Sequence, residues 1–214
     1  MPELRSFSMS IVLYHHPYSR AANMVWALEE VGVPYSLRTV NLMAGEQKSP
    51  AFLALNPMGK LPVLTDGDVV VSETSAICMY LGDRYAMGRL APALDNSARG
   101  SYLRWCVYPS AVIEPGCMAK AAGWEYKPGQ AGWGSYESIL SSLEGGIVPG
   151  PWLLGEQFTM ADVLVGGTLR WMLRFNMIDA RPTLVDYAAR LGGRPALQRA
   201  EAKNKAVMTE LGLG

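Results

Sequence analysis

Asn56-Pro57-Met58-Gly59-Lys60-Leu61-Pro62-Val63-Leu64, followed one hairpin later by Ser72-Glu73-Thr74-Ser75-Ala76-Ile77, decides the reading of this chain. Pro62 opens a short apolar run, which predicts a loop ending at an edge strand, and an X-Pro bond such as Leu61-Pro62 is the common place for a cis peptide. An unpaired strand edge there can hydrogen-bond the backbone of a small peptide. Asp66-Gly67, between Val63-Leu64 and Val69-Val70-Val71, is a hairpin signal. Glu73 and Thr74 therefore arrive where a second strand ends and a helix begins. A carboxylate and a hydroxyl beside free helix amides suit an amino acid head group.

Working upstream, Met9 to Tyr14 reads as a buried strand. From Ser19 the period becomes helical, with Met24, Ala27, Leu28 and Val31 on one face and Gly32 as the stop. Tyr35 to Val40 returns to strand, and a weak helical segment covers Ser49 to Leu55. A helix containing Ile77, Tyr80 and Leu81 closes the unit. These elements predict an α/β domain over residues 10–86, built on a mixed four-stranded sheet with a right-handed first crossover. Residues 87–96 are rich in turn formers and read as a linker. Beyond them no strand pattern recurs, and helices are expected over Arg99 to Ile113, Tyr136 to Leu143, Ala161 to Leu173 and Thr183 to Leu191, with a short one from Pro195. Residues 97–214 are thus expected to form an all-helical domain.

Composition narrows the function. The chain has 214 residues, half of them apolar, and its formal net charge is zero, so neither a global field nor a run of Lys and Arg favours nucleic acid. Cys78, Cys106 and Cys117 are odd in number and lack metal-knuckle spacing, which fits a reducing, cytoplasmic setting. Residues 1–9 have no apolar core of signal-peptide length and read as a loose tail, and no later stretch predicts a membrane span. His15 and His16 are adjacent, so their side chains diverge, and no further His joins them. No metal is expected.

Thr159-Met160-Ala161-Asp162 can form a reciprocal helix cap, with Phe158 and Val163 stapled across it. Taken with the order and spacing of the earlier motifs, this segment and Arg194-Pro195-Ala196 resemble the cytosolic glutathione transferases over roughly Ser10 to Ala200, with a serine-type site similar to theta, delta and related bacterial classes. The resemblance implies a thioredoxin-like N-terminal domain, an all-helical C-terminal domain and a twofold homodimer. Thr159 and Asp162 are then folding signals.

The resemblance also implies a site for glutathione as co-substrate. Glu73 and Thr74 would receive the γ-glutamyl group, the Leu61 backbone beside Pro62 would pair with the cysteinyl unit, and Lys60 would face the glycyl carboxylate, assisted by Gln47 or Lys48. A thiol of ordinary pKa, about 8.5, must be activated at neutral pH. Ser19, before a Trp-containing helix, is the first candidate, and as a hydroxyl at a helix start it can also simply cap that helix. Tyr14 and Tyr18 are rivals as phenolic donors. Arg20 stands where one bacterial branch carries cysteine, which disfavours chemistry through a protein mixed disulfide. For a small apolar electrophile, Tyr18, Tyr108 and Val112 are the expected pocket residues, and Trp105, Trp124, Tyr126 and Trp133 are further aromatic candidates. The expected reaction is thiolate attack on that electrophile. The alternatives are a specialised isomerase, ether lyase, dehalogenase or peroxidase, and a non-catalytic glutathione binder or scaffold.

Overall fold

The computed structural model describes residues 11–213; the expected tail and the first residues of the opening strand lie outside them. The first seven elements are β1 (Ile11–His15), α1 (Ala21–Val31), β2 (Tyr35–Thr39), α2 (Pro50–Leu55), β3 (Val63–Asp66), β4 (Val69–Ser72) and α3 (Thr74–Tyr85). The sheet order is β2-β1-β3-β4. β1 runs parallel to β2 and antiparallel to β3, and β3 runs antiparallel to β4, giving the mixed thioredoxin-like sheet. Gly32 ends α1 in the left-handed conformation (φ 79°), its N–H donating to the Leu28 carbonyl.

Period-two alternation on β1 sorts its side chains. Ile11 and Leu13 join the main core with Met24 and Leu28 of α1, whereas Tyr14 packs with Val40, Phe52 and Val63 in a smaller cluster. The hairpin turn is displaced by one residue from its expected position: Asp66 pairs with Val69, so Gly67 and Asp68 make the turn. Asp66 stays in the strand because its buried carboxylate accepts hydrogen bonds from the Tyr80 and Tyr85 hydroxyls.

Helices α4 (Arg99–Tyr108), α5 (Glu114–Ala121), α6 (Tyr136–Ile147), α7 (Met160–Arg174), α8 (Pro182–Gly192) and α9 (Pro195–Glu210) follow. Between α4 and α5 the backbone makes a π turn over Pro109–Ile113, so the expected helix ending at Ile113 instead continues to Ala121. Pro109 has no N–H to give to the preceding turn, and the Ser75 hydroxyl donates to the Cys106 carbonyl at 2.8 Å, which relaxes the ladder there. The segment from Pro195 is not short: α9 spans 16 residues because its polar residues are anchored on α1. Glu29 binds Arg199 and Lys203 at 2.7 and 2.6 Å, and Arg194, just before α9, binds Glu30 at 2.6 Å.

The cap at α7 forms. The Thr159 hydroxyl accepts from the Ala161 N–H at 3.3 Å, and Asp162 accepts from the Thr159 N–H at 2.8 Å. Asp162 also takes the Leu153 N–H and the Tyr187 hydroxyl. Burial pushes its carboxyl pKa up, although these bonds pull the other way. Phe158 and Val163 are both buried in the main core. Among the described residues no helix is long and apolar enough to cross a membrane.

Candidate functional site

Five of the expected glutathione-binding residues meet in one cleft. Lys60, Leu61, Pro62, Glu73 and Thr74 line a cavity of about 260 Å³ together with Arg20, Asn56, Met58, Ser110 and Glu114. The Leu61-Pro62 bond is cis. Asn56 holds the loop by donating from its amide to the Lys60 carbonyl at 2.9 Å and accepting from the Met58 N–H at 3.1 Å.

Glu73 carries the clearest local signature. Its φ is 71° and ψ 129°, an unfavourable conformation for a residue with a Cβ, and it throws the side chain to the cleft rim. It is the N-cap residue of α3, yet no side chain caps that helix, so the first-turn amides remain open to an anion. Among the described residues the Glu73 carboxylate and the Lys60 ammonium have no ionic partner. A cleft with an unpaired carboxylate, an unpaired ammonium and an open helix N-terminus matches a zwitterionic peptide.

Gln47 and Lys48 lie behind this loop instead of in its lining. Lys48 donates to the Met58 carbonyl at 3.0 Å, and a Cβ on Gly59 (φ 61°) would come within 2.7 Å of the Gln47 carbonyl. Glycine is needed there so that the two segments can touch.

A second cavity, of about 440 Å³, lies between the start of α1 and helices α7 and α9. Its walls include Tyr18, Ser19, Trp26, Trp171, Phe175 and Arg174. Tyr18 is 63% exposed, and its hydroxyl donates to the Leu213 carbonyl at 2.7 Å. Ser19 sits two residues before α1; its hydroxyl donates to the His16 carbonyl at 2.8 Å and accepts from the Ala21 N–H at 3.1 Å. Tyr14 lines neither cavity, because alternation on β1 places it edge-on to Phe52, 5.9 Å between ring centroids.

Tyr108 and Val112 also lie outside both linings. Tyr108 packs edge-on to Trp105 and under Arg104, and the π turn presents Ser110 and Glu114 to the cleft instead. Trp105 is core, closed over by Gly146, and Tyr126 packs edge-on to Trp133, while Trp124 is exposed. Besides Tyr18 and Trp26, the aromatic walls of the larger cavity are Trp171 and Phe175, one helical turn apart with ring centroids 5.2 Å from each other.

Arg20 and Glu114 join the two cavities. The guanidinium binds the carboxylate through Nε at 3.0 Å and Nη2 at 3.1 Å, and its carbon lies 3.9 Å from the centroid of the Trp171 ring. Sequence reading missed this pair, since nothing local links residues 94 positions apart. His15 and His16 are both buried; His15 Nε2 meets Asn204 Oδ1 at 2.7 Å, and His16 Nδ1 accepts from the Tyr18 N–H. Among the described residues no group of three His, Cys, Asp or Glu side chains is placed to hold a metal ion. The three cysteines are buried and free, and burial pushes each thiol pKa up, that of Cys106 to about 12 and that of Cys117 to about 11.

The N-terminal domain family of glutathione S-transferases matches residues 9–83, and the corresponding C-terminal domain family matches residues 127–199. Human glutathione S-transferase theta-2B is 32% identical over 174 residues, covering 75% of this chain and 71% of its own. The chain belongs to the glutathione S-transferase family. Among solved structures, a glutathione transferase of Methylococcus capsulatus is 27% identical with a TM-score of 0.76, covering 92% of this chain and 99% of its own. A glutathione transferase family member from Pseudomonas fluorescens, described with two glutathione bound, is 26% identical with a TM-score of 0.74, covering 91% and 93%. As a glutathione S-transferase the chain is an enzyme, with the thioredoxin-like and helical domains of its family.

Proposed function

We propose that this transferase binds glutathione in the cis-Pro62 cleft and directs its thiolate at a small apolar electrophile held in the larger cavity. The observation that carries the reading is the convergence of Lys60, Leu61, Pro62, Glu73 and Thr74 on one cleft. The γ-glutamyl ammonium pairs with Glu73, its carboxylate takes the open amides of α3 and the Thr74 hydroxyl, the cysteinyl backbone pairs with Leu61, and the glycyl carboxylate faces Lys60. The sulfur then points to the start of α1, where Ser19, Arg20 and the helix amides converge.

The S–H bond breaks with its proton passing to solvent. The thiolate electron pair forms the new bond to the electrophilic carbon, whose leaving group departs with the bonding pair. No protein adduct is formed, so positioning and thiol ionisation supply the rate. Trp171 and Phe175 give the electrophile an apolar, aromatic wall.

A second reading takes a glutathionyl group as co-substrate. The solved relative with two glutathione bound favours it, as does a larger cavity bearing Arg170 and Arg174. Exposed Val69 and Val70 on the edge strand β4, and Leu103 and Val107 on α4, supply apolar surface for a homodimer, which sedimentation tests; a monomeric mass would contradict it. The test of the binding reading compares glutathione with its analogue lacking the γ-glutamyl amino group. Loss of affinity for the analogue, abolished by Glu73→Ala, supports the assigned pose, and equal affinity for both ligands contradicts it. Saturation with one glutathione per chain favours the electrophile reading, and saturation with two favours the glutathionyl reading.

A further inference from the structure

We propose that Arg20, oriented by Glu114, is the residue that holds the glutathione thiolate. This assignment rests on the binding mode proposed above and names the thiolate contact within it. A sulfur bound in the cis-Pro62 cleft that attacks a molecule in the larger cavity must sit where the two meet. Arg20, Thr74 and Glu114 are the residues that line both, and Arg20 is the cation among them.

The neighbouring hydroxyl is engaged elsewhere. Ser19 gives its O–H to the His16 carbonyl at 2.8 Å and its lone pair to the Ala21 N–H, and it lines the larger cavity but not the cleft. Redirecting that proton to sulfur would take from the His16 carbonyl one of its two hydrogen bonds, leaving the one from the Ser19 N–H at 3.0 Å.

Arg20 is fixed for the task. Glu114 occupies Nε and Nη2 at 3.0 and 3.1 Å, and the Trp171 face holds the guanidinium plane from the larger cavity at 3.9 Å. Among the described residues Nη1 has no partner, which leaves its N–H groups for an anion. A guanidinium stays charged at every working pH, so it favours the thiolate without taking up the proton, which leaves to solvent. Glu114 has the opposite electrostatic effect on the sulfur: it orients the cation and offsets part of its charge.

The test is the pKa of the bound thiol, followed by thiolate absorbance during pH titration of the glutathione complex. The variants are Arg20→Gln, Arg20→Lys, Glu114→Gln and Ser19→Ala, each checked for folding by thermal melting. Arg20→Gln is expected to raise that pKa by about one unit or more, and Glu114→Gln, which keeps an acceptor but removes the negative charge, to lower it. Arg20→Lys retains most of the wild-type value, and Ser19→Ala moves it less than Arg20→Gln does. Binding of S-methylglutathione, which has no thiol to ionise, should stay within about twofold in Arg20→Gln. A merely structural strut would lower melting temperatures in the Arg20 and Glu114 variants and leave the thiol pKa in place. Unchanged thiol pKa in Arg20→Gln and Glu114→Gln, with normal ionisation in the wild type, overturns the Arg20 assignment alone. No glutathione binding by the wild type overturns the underlying pose as well. If Arg20→Gln does not fold, Glu114→Gln decides by the direction of its shift.

Discussion

Arg194 and Glu30, 164 positions apart in sequence, meet in a two-point ion pair, Nε to Oε1 at 2.6 Å and Nη2 to Oε2 at 2.7 Å. Glu30 Oε1 also accepts from the Trp26 indole at 2.8 Å, and the Arg194 guanidinium lies 3.4 Å from the Phe158 ring centroid. The pair therefore pins the entry to α9 onto α1, whose N-cap residue, Arg20, is one of the three that line both cavities. Arg194→Ala leaves Glu30, whose side chain is 6% exposed, without its counter-charge. The expected loss is about 2–3 kcal/mol, below the value for fully buried pairs because Arg194 is partly solvated. Arg194→Lys should also be destabilised, since an ammonium cannot reproduce the fork. Urea unfolding reads both, and wild-type midpoints would contradict the latch.

The cap at α7 predicts two unequal losses. Thr159→Ala removes one capping acceptor and should cost about 1 kcal/mol. Asp162→Ala strands the Thr159 and Leu153 amides and the Tyr187 hydroxyl in a buried site, which should cost about 3 kcal/mol or more. If the two variants unfold at the same denaturant concentration, the reciprocal cap is not the organising feature of that turn.

Stability should depend on pH in two separate windows. Burial, together with the charge of neighbouring His16, holds the His15 pKa below its ordinary 6.5, against the opposing bond from Asn204. The unfolded chain therefore binds the proton first, so this contribution is complete above pH 6.5 and is lost as pH falls below it, with a slope of at most about 1.4 kcal/mol per pH unit. Burial raises the Glu29 pKa, but bonds from Lys203, Tyr35 and Arg199 outweigh it and hold the group at about 2, against 4.5 ordinarily. Its contribution is present above pH 4.5 and is lost on acidification toward about 2. Denaturation midpoints across the range, compared with those of His15→Gln, check the upper window. His16, also lowered by burial, should leave a residual slope in that variant, and an unchanged slope would remove His15 as a source.

Glu73→Ala should weaken glutathione binding about tenfold or more by leaving the ligand ammonium unpaired. Turnover at saturating glutathione should fall much less, because Glu73 is at the opposite end of the ligand from the sulfur. It should also relieve no strain, since alanine at φ 71° meets the same backbone penalty. Glu73→Gly is the informative companion: a protein more stable than Glu73→Ala with equally weak binding shows that the strain and the charge act separately. A variant that binds like wild type while turnover collapses would reverse the assigned role.

The thioredoxin-like half was legible because its signals are local. Pro62, the Asp66-Gly67 region, Gly32 and the Ser72-to-Ile77 stretch each mark an element end through their own backbone chemistry, and their order gave the topology. The cap at Thr159 was legible for the same reason. Arg20 with Glu114, and His15 with Asn204, are pairs that only tertiary packing creates, so neither member carries a local pattern. Tyr18 lines the larger cavity as expected, whereas Tyr108 and Val112 do not line the cleft: a regular helix through Ser110 would have turned them together toward it, and the π turn at Pro109 rotates the following residues. Trp171 and Phe175, four apart and each directly preceded by an arginine (Arg170 and Arg174), were the usable signal: a pair of aromatics beside charges at the end of a helix whose other face is core.

The central claim is that glutathione binds in the cis-Pro62 cleft and loses its thiol proton there. Calorimetric titration with reduced glutathione, in two buffers of different ionisation enthalpy and at several pH values, measures affinity and proton release together. Saturable binding with release of a proton near neutral pH is the predicted result. Binding without release would contradict thiolate activation and leave a glutathione-binding scaffold, and no binding would contradict the claim outright.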